Sequence, residues 1–361
     1  MERIYQASQT QLTLLAGVAC VIFCALMATT AIAATNNSGT ENTDTKSLQT
    51  EYAGQFQKIA PGTYVRFGKH LEISRASVAE IANTGFIIGL NSIAIVDPGG
   101  SLAAARAMLQ AIRQISALPI SHVFITHQHP DHSLGLFLFL DQDLWRAAVA
   151  EAGPDDAEQP QPLIMGHPLL WGALLQNGDF FKENFTDVEK DKDLQRLLQN
   201  LPQESPIQSI KTNQTIDLGQ RVLSLNPRQG AHSDADITIF DNQTSTLWAG
   251  DLIVNERLPA LDGSLNAWLS EFDTLASELE NLGTVTVVPG HGRVDTWPAV
   301  ARQQHTYLLR LRDFARNAVK QGQSLSAFLN ADWPWPQVHW ELFGAQHKRN
   351  SSRAYTELEW E

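Results

Sequence analysis

The sequence predicts an α/β fold in which two β-sheets pack face to face with helices outside. Three observations carry that expectation. Strand-like runs come in two groups in series, one before and one after a central helical stretch. Several of these runs end in Gly/Pro turns followed at once by His or Asp. The composition, 43% hydrophobic and 18% charged, is that of a globular chain with enough apolar material for a sizeable core.

The N-terminus stands apart from that fold. Arg3 precedes an apolar stretch at residues 12–27 that runs into Ala31-Ile32-Ala33-Ala34, the pattern of a secretory signal cleaved after Ala33. An uncleaved anchor is the competing expectation, since residues 12–34 approach the roughly 20 needed to span a bilayer. The small-residue ending favours cleavage, and with it a periplasmic destination; a membrane partner is expected only if the signal stays on. Residues 34–50, rich in Thr, Asn and Ser, read as a flexible linker, and residues 51–361 as the folded domain. Both cysteines, Cys20 and Cys24, lie in the signal, so a mature chain of 361 − 33 = 328 residues has none. That excludes disulfides, thiol nucleophiles and thiolate ligands. Any metal site must use imidazole and carboxylate, which suits zinc and admits iron or manganese. The formal charge of −13, with no basic run, excludes nucleic acid as a partner.

The elements follow in order. Residues 63–67, 85–89 and 92–97 read as strands, the last two as a hairpin through Leu90-Asn91, closed by Pro98-Gly99-Gly100. Ser101 caps a helix running to about Ile115. Residues 120–126 form a buried strand whose end delivers His127 into a loop. Residues 141–215 break the rhythm with Pro- and Asp-rich pieces, one short strand at 163–165 and a charged helix at 187–201. They read as an insertion packed over the core, with the active site among the places it would cover. Strands resume at 215–218, 222–225, 237–241, 246–248 and 284–288, with helices at 265–282 and 300–320. A helical extension begins at about residue 298.

The chemistry concentrates in Thr126-His127-Gln128-His129-Pro130-Asp131-His132, four metal-capable side chains in six positions at the end of an apolar strand. Three imidazoles and a carboxylate crowded there without a cation would be costly to desolvate, so a ligand cluster is the better explanation. His232 after Gly230-Ala231, Asp251 after Gly250, and His291 between Gly290 and Gly292 recur in similar settings. Each alone reads equally as a turn residue.

Taken in order, H-x-H-x-D-H followed by His, Asp and His resembles the metallo-β-lactamase superfamily, as does Asp97-Pro98-Gly99-Gly100 ahead of the metal loop. The resemblance implies an αββα four-layer sandwich with the site at one edge. It further implies that His127, His129 and His232 hold one metal, that Asp131, His132 and His291 hold a second, and that Asp251 bridges them. Two zinc ions roughly 3.5 to 4 Å apart would hold a hydroxide between them and polarise the scissile bond, with Asp131 orienting it as the catalytic carboxylate. His129, rather than glutamate, departs from the diiron flavoproteins, and Asp251, rather than cysteine, from the main zinc β-lactamases.

A narrower resemblance lies outside the ligands. Residues 258–265 with Trp268, Pro289-Gly290-His291-Gly292 followed by Trp297-Pro298, Gly166-His167-Pro168-Leu169 and the ending 355–361 are similar to the quinoprotein relay system zinc metallohydrolases. That similarity implies an exported quinoprotein or cytochrome c system as partner. The expected activity is metal-dependent hydrolysis of a small-molecule ester, thioester, lactone or related acyl substrate. The alternatives are a mononuclear iron dioxygenase acting on sulfur compounds, or a β-lactamase; a metal-binding maturation factor is disfavoured by the seven-residue set. His70, His122, His305, His339 and His347 lack partners at ligand spacing and read as structural, while His167 reads as a residue of the insertion that is free to line a pocket.

Overall fold

The computed structural model describes residues 55–361 except 154–158, 188–189, 229 and 332–339, so the expected signal and linker lie outside the described residues. The first sheet has seven strands in chain order: β1 (Gln57–Ala60), β2 (Thr63–Arg66), β3 (Thr84–Ile88), β4 (Ile93–Val96), β5 (Ile120–Phe124), β6 (Leu163–Gly166) and β7 (Gln208–Ser209). β1 to β4 pair antiparallel, with β3 and β4 joined in the expected hairpin. From β4 to β7 the pairing is parallel. Parallel neighbours need a crossover, and α1 (Leu102–Ile115) supplies the first, its N-terminus capped by Ser101 accepting from Ala104 N–H.

The second sheet contains β8 (Gln214–Asp217), β9 (Val222–Pro227), β10 (Ile237–Asp241), β11 (Thr246–Val254), β12 (Thr286–His291) and β13 (Asp295–Thr296), in the order β13-β12-β11-β10-β9-β8. Its pairings are antiparallel except between β11 and β12. Strand alternation builds the layers, because successive side chains point to opposite faces. Ala94, Val96 and Phe124 of the first sheet meet Leu223, Leu225, Ile237, Ile239, Trp248 and Val288 of the second in the central core. Ile93, Ile95 and Val123 point the other way, onto α1. On the far side Leu247, Ala249 and Val287 pack against α7 (Leu265–Leu279) and α8 (Ala299–Lys320), joined by α9 (Leu325–Leu329) and α10 (Phe343–Glu359). The result is the four-layer αββα sandwich.

Between β5 and β8 the chain forms α2 (Pro130–Ser133), a 3₁₀ turn at Leu134–Leu136, α3 (Phe137–Leu140), α4 (Gln142–Ala152), α5 (Leu170–Phe185) and α6 (Lys192–Gln199). Trp145, Trp171, Leu174, Phe181, Leu194 and Leu198 join the outer core beside α1. The segment read as an insertion therefore also extends the sheet, adding β6 and β7 at its parallel end. α6 is shorter than the charged pattern at 187–201 suggested. β11 is longer than expected: nine residues, all buried, with Asp251 inside the strand and not at its end. A strand buried on both faces shows no polar alternation, so its length is invisible to periodicity.

Candidate metal centre

The site forms where strand ends of both sheets converge. β4 and β5 run parallel, so their C-terminal ends lie side by side. Asp97, directly after β4, holds a left-handed backbone (φ 51°) and accepts from Thr126 N–H (2.7 Å) and Thr126 Oγ1–H (2.6 Å) across the gap. Thr126 thereby fixes where His127 leaves the sheet. His129 then caps α2 with Pro130 at its first position, where a missing N–H costs nothing. That single turn presents Asp131 and His132, both buried.

The second sheet contributes the remainder. His232 sits in the loop between β9 and β10, Asp251 in β11, and His291 at the end of β12. Between Trp248 and Val254 the β11–β12 register shifts twice, and Gly250 at that bulge has φ 51° with Thr126 Cβ 2.7 Å from where its own Cβ would stand. Gly290 lies so close that a Cβ there would be 1.9 Å from Asp251 Oδ1. Asn83 Nδ2 donates to Pro289 O and Gly292 O, both at 2.8 Å, pinning the turn that carries His291.

Each imidazole is oriented from behind. Because Thr126 Oγ1 spends its proton on Asp97, its oxygen accepts from His127 Nδ1 (3.0 Å). His132 Nδ1 donates to Asp97 Oδ2 (2.8 Å), His232 Nδ1 to Ala260 O (2.9 Å) and His291 Nδ1 to Ile81 O (2.7 Å). His129 is turned the other way, its Nε2 lying 3.1 Å from Asp262 Oδ2. In the neutral form of each ring the nitrogen left facing inward is an acceptor.

Those inward atoms form two groups. His127, His129, His232 and Asp251 each offer an atom within 4.8 Å of the others, and so do Asp131, His132 and His291. Asp251 stands between the groups: Oδ1 lies 3.3 Å from His132 Nε2, while Oδ2 lies 3.2 Å from His291 Nε2 and 3.6 Å from His232 Nε2. Asp131 Oδ2 approaches His291 Nε2 at 3.4 Å and His132 Nε2 at 3.5 Å. His127 Nε2, His132 Nε2 and Asp251 Oδ1 are buried without a hydrogen bond. His232 Nε2 and His129 Nδ1 face each other at 3.0 Å, two lone pairs that only a proton or a cation reconciles. Orphaned nitrogen and oxygen acceptors gathered within 4.8 Å of one another form a donor set that fits a metal ion such as zinc.

Electrostatics divide the imidazoles of His127, His232, His129 and His132, since burial opposes protonation of all four but nearby carboxylates, Asp262 foremost at His129 and Asp131 at His132, reverse it for the last two. Burial, with the neighbouring His132 and His129, holds the His127 imidazole well below its ordinary range, and burial brings His232 down to about 4. Both are therefore neutral near pH 7, the form that binds metal. Burial pushes Asp251 upward, but the facing His291 and His132 outweigh it and keep the carboxylate ionised. Burial likewise opposes protonation of His132, but Asp131, Asp251 and Asp97 together overcome it and hold this imidazole well above its ordinary range, so without a cation it carries a proton that metal binding would displace.

All seven residues singled out in the sequence thus meet at one site. Asp97, Asn83 and Asp262 hold their neighbours in place without having been marked in the sequence as site residues. Asp97 and Asp262 lie within motifs already quoted, but only the structure shows which histidine each one faces. His70 lies 3.4 Å from Glu256, His122 stacks on Phe124, His305 on Phe272 and His347 on Phe343, all apart from the metal groups. His339 lies outside the described residues. His167, directly after β6, accepts from Leu169 N–H at Nδ1 and feels the charge of Asp234 in the His232 loop.

Comparison with known proteins places this architecture. The family model described as the metallo-beta-lactamase superfamily matches residues 78–291. Among solved structures, the inverting sec-alkylsulfatase Pisa1 from Pseudomonas sp. superposes with a TM-score of 0.57 at 16% identity over 83% of this chain, which spans about half (49%) of the sulfatase. The protein TMB-1 gives 0.51 at 13% identity, covering 71% of this chain and 96% of that one. A metallo-beta-lactamase from Pontibacter korlensis gives 0.51 at 15%, covering 70% and 98%. These likenesses show a shared fold. No curated protein matches the chain. With a family model matched across more than half its length, and with the sandwich and its edge site in place, the chain belongs to the metallo-beta-lactamase superfamily.

Proposed function

We propose that the chain is an exported dinuclear zinc hydrolase acting on a small ester, thioester, lactone or related acyl substrate. One observation carries this reading: Asp251, a member of the first group of ligand atoms, lies 3.3 Å and 3.2 Å from two imidazoles of the second, and the imidazoles are bonded from behind. A structural zinc site closes on four ligands, whereas these seven residues span two positions and leave room for water. Bound zinc would supply Lewis acidity and an acidified water. His127, His129 and His232 would hold one ion, Asp131, His132 and His291 the other, and Asp251 would touch both. Asp131, which would hold the second position through one oxygen, would keep the other to accept a proton from water and pass it toward the leaving group. The second group of three also weighs against a mononuclear iron dioxygenase, which would leave Asp131, His132 and His291 without a common purpose.

Export rests on the A-x-A pattern, and association with a quinoprotein or cytochrome c system on the residues around 258–268 and 289–298. Metal analysis of protein purified gently from the periplasmic fraction, followed by a panel of esters, thioesters, lactones, alkyl sulfates and β-lactams, tests the activity. The expected result is two zinc ions per chain and turnover of an acyl ester class. One iron and no zinc, or turnover confined to thiol oxidation, would sink the proposal.

A further inference from the structure

Two loops, one from each sheet, carry the three imidazoles of the first ligand group. Residues 126–133 leave β5 with His127 and His129, and residues 230–236 lead into β10 with His232. The ring of His232 meets those of His127 and His129 edge-on, each at 4.8 Å between centroids. So close an approach makes the separation of the two loops part of the ligand geometry. Gln128 lies between the two histidines of its loop. Its backbone oxygen accepts from Ser133 Oγ–H (3.1 Å), and its side-chain Oε1 accepts from Ser233 Oγ–H (3.0 Å), 105 residues on and directly after His232. Among the described residues, and the facing nitrogens of His129 and His232 aside, no other side-chain hydrogen bond joins the two loops.

Ser233 is buried, and its oxygen does more than reach Gln128. It accepts from Ala235 N–H (3.2 Å) and lies 2.6 Å from Oδ1 of Asp236, whose Oδ2 accepts from Ser233 N–H (2.8 Å). A hydroxyl has one hydrogen to give. If it goes to Gln128, Asp236 is protonated and donates in turn; if it goes to Asp236, the Gln128 amide presents its Nε2–H instead. Both arrangements bond the oxygen on each side and keep the loops joined. Asp236 is itself buried, and among the described residues no basic side chain stands within ion-pair distance of it. Burial brings its carboxyl up to about 7 against the two bonds from Ser233 and the charge of His129, so either arrangement is accessible near neutral pH. We propose that Ser233 is a positioning residue for the first ligand group: its hydroxyl, held by Asp236 on one side and by Gln128 on the other, sets how far His232 stands from His127 and His129. What those ligands hold rests on the dinuclear hydrolase reading; the tie itself rests on the geometry.

The test is a double-mutant cycle read as zinc affinity. Wild type, Ser233→Ala, Gln128→Leu, the double variant and Ser233→Thr, which keeps the hydroxyl, are titrated against a chromophoric chelator, and the Tm of each metal-free chain is recorded. Ser233→Ala and Gln128→Leu are each expected to weaken one zinc equivalent by about tenfold or more while the other stays within about threefold, the range typical of partners behind a ligand. The double variant should bind no worse than the weaker single variant, and Ser233→Thr should match wild type. Losses that multiply in the double variant overturn the tie. Equal weakening of both equivalents does the same, as does a fall in Tm with zinc affinity unchanged, or a Ser233→Thr chain as weak as Ser233→Ala. If Ser233→Ala does not fold, Gln128→Leu decides, because its side chain is only half-buried and unchanged affinity there overturns the proposal. A single zinc ion in wild type overturns the dinuclear reading, and the tie is then judged by the same cycle on that ion.

Discussion

Asp97 accepts three hydrogen bonds at once and through them orients one imidazole in each ligand group, His132 directly and His127 through Thr126. Partners of this kind typically govern 10- to 100-fold in metal affinity. Asp97→Ala is therefore expected to weaken zinc binding by about that factor, read by competition with a chromophoric chelator, while the seven ligand residues remain intact. Asp251 acts differently, because it touches both groups. Asp251→Ala should lose activity by far more than it loses zinc, and an Asp251→Cys variant should keep one ion without recovering turnover. If Asp251→Ala holds two ions and turns over near the wild-type rate, the carboxylate does not bridge. The cluster at 127–132 was legible in the sequence because metal-capable side chains crowded after an apolar strand are rare, whereas His232, Asp251 and His291 were gathered to it by the family resemblance. Asp97 and Asp262 were not legible as site residues, because their task is a contact with a histidine 30 or more residues away, and nothing in local spacing encodes such a contact.

The C-terminal helix α10 shows how an element remote from the ligands supports them. Asn350, fully buried, accepts from Leu261 N–H and donates to Pro259 O. Arg353 donates to Asp262 O, and Glu357 accepts from Leu265 and Asn266 N–H at the start of α7. These bonds brace residues 259–266, which carry the Ala260 carbonyl behind His232 and the Asp262 carboxylate behind His129. On the same helix, burial presses the His347 imidazole from its ordinary 6.5 down to about 4. The folded chain thus keeps it neutral while the unfolded chain protonates it, so stability present above pH 6.5 is lost as the pH falls toward 4. In metal-free protein, the decline of Tm between pH 7 and 4.5 should be shallower for His347→Gln than for wild type. Parallel declines would show that this imidazole is solvated. The start of α1 was readable from its capping Ser101, whereas Ser264, which caps α7, went unmarked. The extent of β11 was not readable either, since burial on both faces erases the alternation that marks strand ends.

Across the whole molecule, the proposed metal centre would double as a stabilising element, because bound ions would satisfy orphaned nitrogens and a buried carboxylate. Ligand that binds only the folded state stabilises it by about 4 kcal/mol at a thousandfold excess over Kd. Chelation should therefore lower Tm by several degrees, and zinc should restore it in a concentration-dependent manner; a Tm indifferent to EDTA would mean that the pocket tolerates emptiness. The sandwich was legible as two strand groups in series, but the addition of β6 and β7 to the first sheet was not, because two short strands among helices resemble an insertion. Four of the proposed ligands hang from the first sheet and three from the second, and the central core joins them. Neither half of the chain owns a complete pair of sites. Ion capture must then wait until the two halves have docked, an encounter between segments more than a hundred residues apart that is slow to form. Followed in real time during refolding, zinc uptake would serve as a clock for that docking, with no faster phase available to either half alone.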